Sequence, residues 1–386
     1  MSLVSFARLS TRAPHIPCAA TRLITGLSGA LFAAALIALL VGWSAPLAHA
    51  QERGAAVQRV QTIGFTVADV DREAAFFTRV LQFEKIADFR LVGPAYGTLQ
   101  GVFNASMRIV HLRLGDQLVE LTQYVSPPTG RPIPVPSYSN DQWFQHMAIV
   151  VSDMDAAYKI LQDNNVQQIS AYPITIPPSN PGAAGIKAIK FHDPERHDLE
   201  LIYFPSGKGN ASWHKSSNKL FLGLDHTAMT VSGTEAGVAF YRDLLGLKVG
   251  TVTLNTGTTQ EVLDGLFNDT CLVTAMLPAS APPHVEFLDY KTPPGGRPLP
   301  TDTKANDLWH WQTTLVAREI AALTENCARR ARNSSRLTWC RSRRTRRLNS
   351  DSSAPSWYAT RPATCCGWSR NSTRQHHKVF RSGANQ

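Results

Sequence analysis

The chain of 386 residues carries 39 Lys+Arg against 29 Asp+Glu, with 43% hydrophobic and 18% charged residues. That balance excludes a disordered polyelectrolyte, and the length exceeds one ordinary domain. The basic excess sits at the two ends: residues 51–326 hold 22 bases and 28 acids, so the body offers no basic face and no nucleic-acid partner is expected.

Residues 1–50 read as an export signal. Arg8, Arg12 and Arg22 precede an apolar run from Ala30 to Val41. Ala48-His49-Ala50 then puts small residues at the −3 and −1 positions of a cleavage site after Ala50. The run falls short of the roughly 20 residues that span a bilayer, so no stable membrane insertion is expected after cleavage. Left uncleaved, it would anchor the chain. The mature protein is expected in the periplasm or outside the cell. Of the six Cys, only Cys271 lies between residues 51 and 326, so no disulfide framework is expected there.

The body repeats itself. VELTQYVSPPTGRPIPVPSYSNDQW (119–143) aligns without a gap to VEFLDYKTPPGGRPLPTDTKANDLW (285–309). Upstream, TIGFTVADVDREAAFFTRVLQF (62–83) aligns to HTAMTVSGTEAGVAFYRDLLGL (226–247). Each copy is itself double, because HMAIVVSDMDAAYKILQDNNV (146–166) repeats the plan of 62–83. An alternating strand leads through an Asp or Ser turn to an amphipathic helix. Ala75, Phe76, Val80 and Leu81 form the apolar face of the first helix, and Ala157, Tyr158 and Leu161 that of the second. Asn165 and Gly246 stand where a left-handed residue ends a helix. Strand-like runs follow each helix, such as MRIVHLRLG, QLVELTQY, IKAIKFHDP and DLELIYF. The module is βαβββ, at about 58–124, 142–205 and 220–290, and it begins a fourth time at 308.

The fourth module opens with WQTTLVAREIAALTEN and then gives way to Arg, Ser, Trp and Cys with no persistent period. A frame change near residues 317–327 would produce that break. The expected division is a signal at 1–50, a first domain of two modules at 57–205, a second and incomplete domain at 220–326, and a disordered Arg/Ser-rich tail at 327–386.

FYRDLLGL (240–247), DPERHDLELIYF (193–204) and the repeated βαβββ plan resemble the vicinal oxygen chelate superfamily. Its members include glyoxalase I, extradiol dioxygenases, and fosfomycin-resistance and bleomycin-binding proteins. The resemblance implies an α+β fold in which paired modules build curved open mixed sheets, here as two copies with the second incomplete. Arg196 departs from the pattern, which has Gly in that turn. The resemblance also implies one divalent metal per pair of modules, held by residues of the first and last strands. Carried over position by position, those strands offer His146, Glu120 and Glu200, with Thr62, in copy one. Copy two offers His226, Glu286 and Gln312, and His310 could stand in for Gln312.

The residue types support this independently. In HMAIVV and LELIYF, alternation puts His146 with Ala148, and Glu200 with Ile202, on one face of each strand. A carboxylate amid an apolar strand is costly unless paired or bound to metal, and this holds for Glu120, Glu200 and Glu286 alike. One imidazole and two carboxylates suit Zn, Mn, Fe or Ni. Three protein ligands leave positions open for substrate. The expected function is an exported metal-dependent enzyme acting on a small molecule with adjacent oxygens. Its chemistry would be of lyase or isomerase type through an enediolate, with Glu120 or Glu200 as base. Alternatives are a non-catalytic small-molecule binder and an extradiol-dioxygenase-like enzyme; on any of these readings the protein could be a homodimer. Arg131 and Arg297 are expected to satisfy carbonyls in the repeated linkers, Trp143 and Trp309 to pack at junctions, and His197 to shape its turn. His111 and His284 are expected as half-buried strand residues.

Overall fold

The computed structural model describes residues 57–333 except 281 and 295; the expected export signal at 1–50 and the expected tail from 334 onward lie outside the described residues. The first module comprises β1 (Val57–Val67), α1 (Val70–Arg79), β2 (Glu84–Val92), α2 (Pro94–Gln100), β3 (Ser106–Leu114) and β4 (Gln117–Ser126). The second comprises β5 (Gln145–Val151), α3 (Met154–Asp163), β6 (Ile174–Thr175), β7 (Lys187–His192) and β8 (Asp198–Tyr203). The third comprises β9 (Phe221–Thr230), α4 (Thr234–Val238, continued by a wider turn to Leu244), β10 (Lys248–Thr256), α5 (Thr258–Asp264), β11 (Thr270–Leu277) and β12 (His284–Thr292). The fourth contributes β13 (Trp311–Ala317) and α6 (Ile320–Asn333).

Local chemistry explains the helices. Asp69 and Asp153 cap α1 and α3, each carboxylate accepting from two backbone N–H groups of the first turn. On α1 the buried face is Val70, Glu73, Ala74 and Phe77, one position away from the expected Ala75 and Phe76. Removing Phe77 from water is worth about 2–3 kcal/mol. Asn165 and Gly246 adopt left-handed φ of 51° and 77°, as expected. Arg196 does so at 75°, which explains why Gly suits that turn. α6 runs through Cys327 to Asn333, so the first seven residues assigned to the tail are helical. Leu323 and Cys327, one turn apart, are both half-buried and give that helix its inner face.

The four modules do not pair by copy. One sheet has the order β13-β1-β4-β3-β2 and the other β10-β11-β12-β9-β5-β8-β7-β6. The second module therefore joins the third through antiparallel β5 and β9, and the first joins the fourth through antiparallel β1 and β13. The expected pairing of modules one with two, and three with four, is corrected by this topology. All four first strands have the same pattern, so the pattern alone does not say which two meet.

A reciprocal clasp holds the crossed arrangement. Asp141 in the first PPxGRPxP linker pairs with Arg297 at 2.5 Å, and Asp307 in the second pairs with Arg131 at 2.7 Å. Each carboxylate also accepts the backbone N–H of its Arg partner at 2.9 Å. Arg131 lies over the Trp309 ring at 4.7 Å and Arg297 over Trp143 at 4.5 Å. These arginines thus serve carboxylates of the opposite linker more than carbonyls.

One apolar core runs through both sheets and their helices, from Val57 to Leu315. Met147, Ile149 and Val151 of β5 and Leu199 and Leu201 of β8 point into it. Strand alternation sends His146, Ala148, Glu200 and Ile202 to the other face.

Candidate functional site

The register of the eight-stranded sheet builds a symmetric cup. Ala148 stands opposite both His226 and Glu200, and Ala228 opposite both His146 and Glu286. Two small residues thus stand at the centre, between two His and two Glu. Nε2 of His146 lies 2.8 Å from Glu200 Oε2, and Nε2 of His226 lies 3.6 Å from that oxygen and 3.7 Å from Glu286 Oε2. His146, Glu200 and His226 are buried, and each turns one ligand atom to within 4.8 Å of the others.

This grouping differs from either expected set. Glu120 does not join His146 and Glu200; it lies on the other sheet, where β4 and β13 place Glu120 and Gln312 on either side of Gly64. Thr62 occupies the His-equivalent position there, facing Thr314. Glu120 pairs with His111 at 2.9 Å, and Gln312 accepts from Gln100 Nε2 at 3.3 Å. His310 is buried near Gln312 with neither ring nitrogen partnered, and burial pushes it down to about 4, which keeps it neutral. His226 and Glu286 instead join His146 and Glu200.

Charge in the cup is finely set. Burial lowers His146, and the nearby Lys190 charge adds to that, so the ring is neutral. Burial also opposes charge on His226, but Glu286, Asp225 and Glu200 together raise it well above its ordinary value. Burial works against ionised Glu200, yet His146, His226 and Lys190 hold it far below the usual carboxylate range. Glu286, desolvated but facing His226 and His284, is held down at about 2.

The donors fit a divalent ion. His146 has no hydrogen-bond partner of acceptable geometry at either nitrogen, although Nε2 is 2.8 Å from a carboxylate oxygen. One ligand atom each from His146, Glu200 and His226, all within 4.8 Å of one another, is the spacing that a single metal ion needs. His226 Nδ1 lies 3.1 Å from Asp225, which orients the ring. Asp225 in turn accepts from Trp213 Nε1 at 3.0 Å. His284 Nε2 holds Glu286 at 2.9 Å.

Sequence reasoning missed Asp225, Lys190 and Asp264. Asp225 adjoins His226 in LGLDHTAM, a legible signal. Lys190 shares the parity of Ala188 on β7, also legible, but Asp264 reaches it only through α5 of another module. His197 behaves as expected: its Nδ1 bonds Asp193 at 2.7 Å, and Nε2 lies 2.9 Å from Thr66 O and 3.0 Å from Leu308 O.

Residues 59–201 and 223–330 match the family model described as Glyoxalase/Bleomycin resistance protein/Dioxygenase superfamily, and the chain belongs to that family. Its curled open sheets are the fold of that superfamily. The chain is 34% identical over 155 residues to a 2-epi-5-epi-valiolone epimerase of an Actinomyces species, covering 38% of this chain and 80% of that protein. Among solved structures it is similar to glyoxalase I from Zea mays, with 13% identity, a TM-score of 0.43, and coverage of 71% of this chain and 79% of the other. A putative dioxygenase from Bacillus subtilis shows 13% identity, a TM-score of 0.43, and coverage of 72% and 75%. Among the described residues no helix is long and apolar enough to cross a membrane.

Proposed function

We propose that the protein is a metal-dependent isomerase that inverts a carbon next to a carbonyl in a small molecule with adjacent oxygens. The observation that carries this reading is the convergence of His146, Glu200 and His226 from three strands onto one point, with Glu286 of a fourth strand 3.7 Å from His226. Similarity to an epimerase supports the reaction class. A divalent ion bound there supplies a Lewis acid toward carbonyl and hydroxyl oxygens. Inversion needs a proton removed from one face of a carbon and returned to the other. Glu200 and Glu286 enter from opposite modules and flank His226, so their carboxylates suit those two proton transfers. Neutral His146 keeps a lone pair for the ion. Asp225 fixes which nitrogen of His226 faces the cup. The basic residues up to Arg22, the apolar run Ala30–Val41 and the small residues Ala48 and Ala50 support export of the chain.

Two His with one carboxylate, His146, His226 and Glu200, is also the donor set of non-haem iron oxygenases, and this favours a dioxygenase as second reading. Glu286 as a further carboxylate favours the isomerase.

The test combines metal analysis with proton exchange. Purified protein should hold one divalent ion per chain, lost in His146→Ala and His226→Ala but kept in Glu120→Ala. Incubated with hydroxyketone cyclitols in heavy water, it should wash deuterium into the carbon beside the carbonyl, and Glu286→Gln should abolish this. Oxygen consumption without deuterium exchange would move the reading to the dioxygenase. Stoichiometric metal in His146→Ala would end both.

A further inference from the structure

Beside the cup lies a second buried set of charges that the proposed chemistry does not use. Lys190 on β7 stands directly opposite Glu200 of β8, so the two side chains leave the sheet on the same face. Lys190 is 3% exposed, and its ion pair is not with Glu200 but with Asp264, the last residue of α5 in the third module. Asp264 is itself 2% exposed and accepts from Gln260 Nε2 at 2.7 Å and Tyr290 OH at 2.8 Å. Asp269 stands against it; burial, and then the Asp264 charge, push Asp269 up to about 9, so it is protonated and adds no second charge.

The molecule contains its own comparison. EVLDGLFNDT (261–270) aligns without a gap to GTLQGVFNAS (97–106) in the first module. Both segments end a short helix at a left-handed Gly, with φ of 61° at Gly265 and 66° at Gly101. Yet Gln100 replaces Asp264 and Ala105 replaces Asp269. Tyr290 keeps its counterpart, Tyr124. The sheet built by the first module also has Thr62 and Gln312 where the cup has His226 and His146. The acid pair is thus kept where the two His are kept and absent where they are absent. A pair needed only to seat the helix would belong in both.

A buried ammonium with two carboxylates in reach pairs with the one that holds it best. We propose that Asp264, backed by Asp269, Gln260 and Tyr290, is a positioning residue for the cup: it draws the Lys190 ammonium away from Glu200 and leaves that carboxylate free as a metal ligand. The inference rests on the reading of His146, Glu200, His226 and Glu286 as a divalent-ion site. Without the Asp264 charge, Lys190 turns to Glu200 and competes with the ion.

Co(II) is the probe, read by its visible absorbance and by titration calorimetry on the full chain. Asp264→Asn should weaken Co(II) binding at least ~10-fold, the scale of outer residues around metal ligands. Lys190→Met/Asp264→Asn should restore affinity to within about threefold of the unsubstituted protein, because the competing ammonium is gone. Lys190→Met alone should bind Co(II) at least as tightly as the unsubstituted protein. Unchanged affinity in Asp264→Asn overturns the inference, as does weak binding in the folded double variant. Should Asp264→Asn not fold, Lys190→Met decides: a roughly tenfold loss there, with the thermal melt retained, also overturns it. Absence of Co(II) binding by the unsubstituted protein overturns the metal reading itself, and this inference with it.

Discussion

At the scale of single residues, Glu73 is a buried carboxyl outside the cup. It is fully buried on α1, and burial first, then the charges of Asp193 and Glu195, push its carboxyl up to about 11. In the unfolded chain it ionises near 4.5, so folding at neutral pH takes up a proton there. Below pH 4.5 both states are protonated and nothing is lost; as pH rises above that value, stability falls. Glu73→Gln keeps the shape without the ionisation. It should raise the unfolding free energy by about 1–3 kcal/mol at pH 7 and leave it nearly unchanged at pH 4. Thermal melts at the two pH values check this; destabilisation at both would show that the carboxyl itself is needed. The neighbouring Glu195, by contrast, is fully partnered. It accepts from the Ala68 and Asp69 backbone N–H groups at 2.5 and 2.8 Å and from Arg72 at 2.8 Å, tying α1 to the turn before β8.

At the scale of elements, the two PPxGRPxP linkers decide how the modules meet. The Asp141 carboxylate is 2% exposed and serves Arg297 together with the Tyr138 N–H, at 2.9 Å. Asp141→Ala would leave buried donors without an acceptor, whereas the half-exposed Arg297 head could turn to water. The expected cost is about 2 kcal/mol, with a similar loss for Asp307→Ala, measured as a shift of the urea midpoint. A change below about 0.5 kcal/mol in both would mean that strand pairing alone holds the crossed arrangement. The linkers were legible as repeats, and their Arg and Asp residues were visible in both copies. Their partnership was not, because each Arg has a carboxylate within its own linker at the same sequence distance. Only the crossing puts Asp307 nearer to Arg131 than Asp141 is.

At the scale of the whole molecule, the pairing of the second module with the third makes each expected domain dependent on the other. β1 and β5 belong to one sequence copy, but they find their antiparallel partners, β13 and β9, in the other. A fragment of residues 57–205 therefore exposes two strand edges that the full chain covers. It should show no cooperative thermal transition and poor amide dispersion by NMR. A fragment of 142–292, which holds both halves of the eight-stranded sheet, should keep one Co(II) site. A well-folded 57–205 fragment would instead mean that the modules of one copy can satisfy each other.

The amino-acid sequence by itself determined the module, its fourfold repetition, the faces of the strands, and His146, Glu200, His226 and Glu286 as ligand candidates at strand positions facing away from the core. It could do so because these depend on alternation and spacing within one stretch of chain. His146 and Glu200 were visible as a pair, since β5 and β8 belong to one module and lie side by side in parallel. What only the tertiary structure decided is which modules share a sheet. That choice moved Glu120 to Gln312 and brought His226 and Glu286 to His146 and Glu200. The reason is physical: four first strands with the same apolar pattern can bury one another equally well in any pairing. The selection falls to contacts far apart in the chain, such as Asp141 with Arg297 and Lys190 with Asp264, whose strength appears only once the chain has folded.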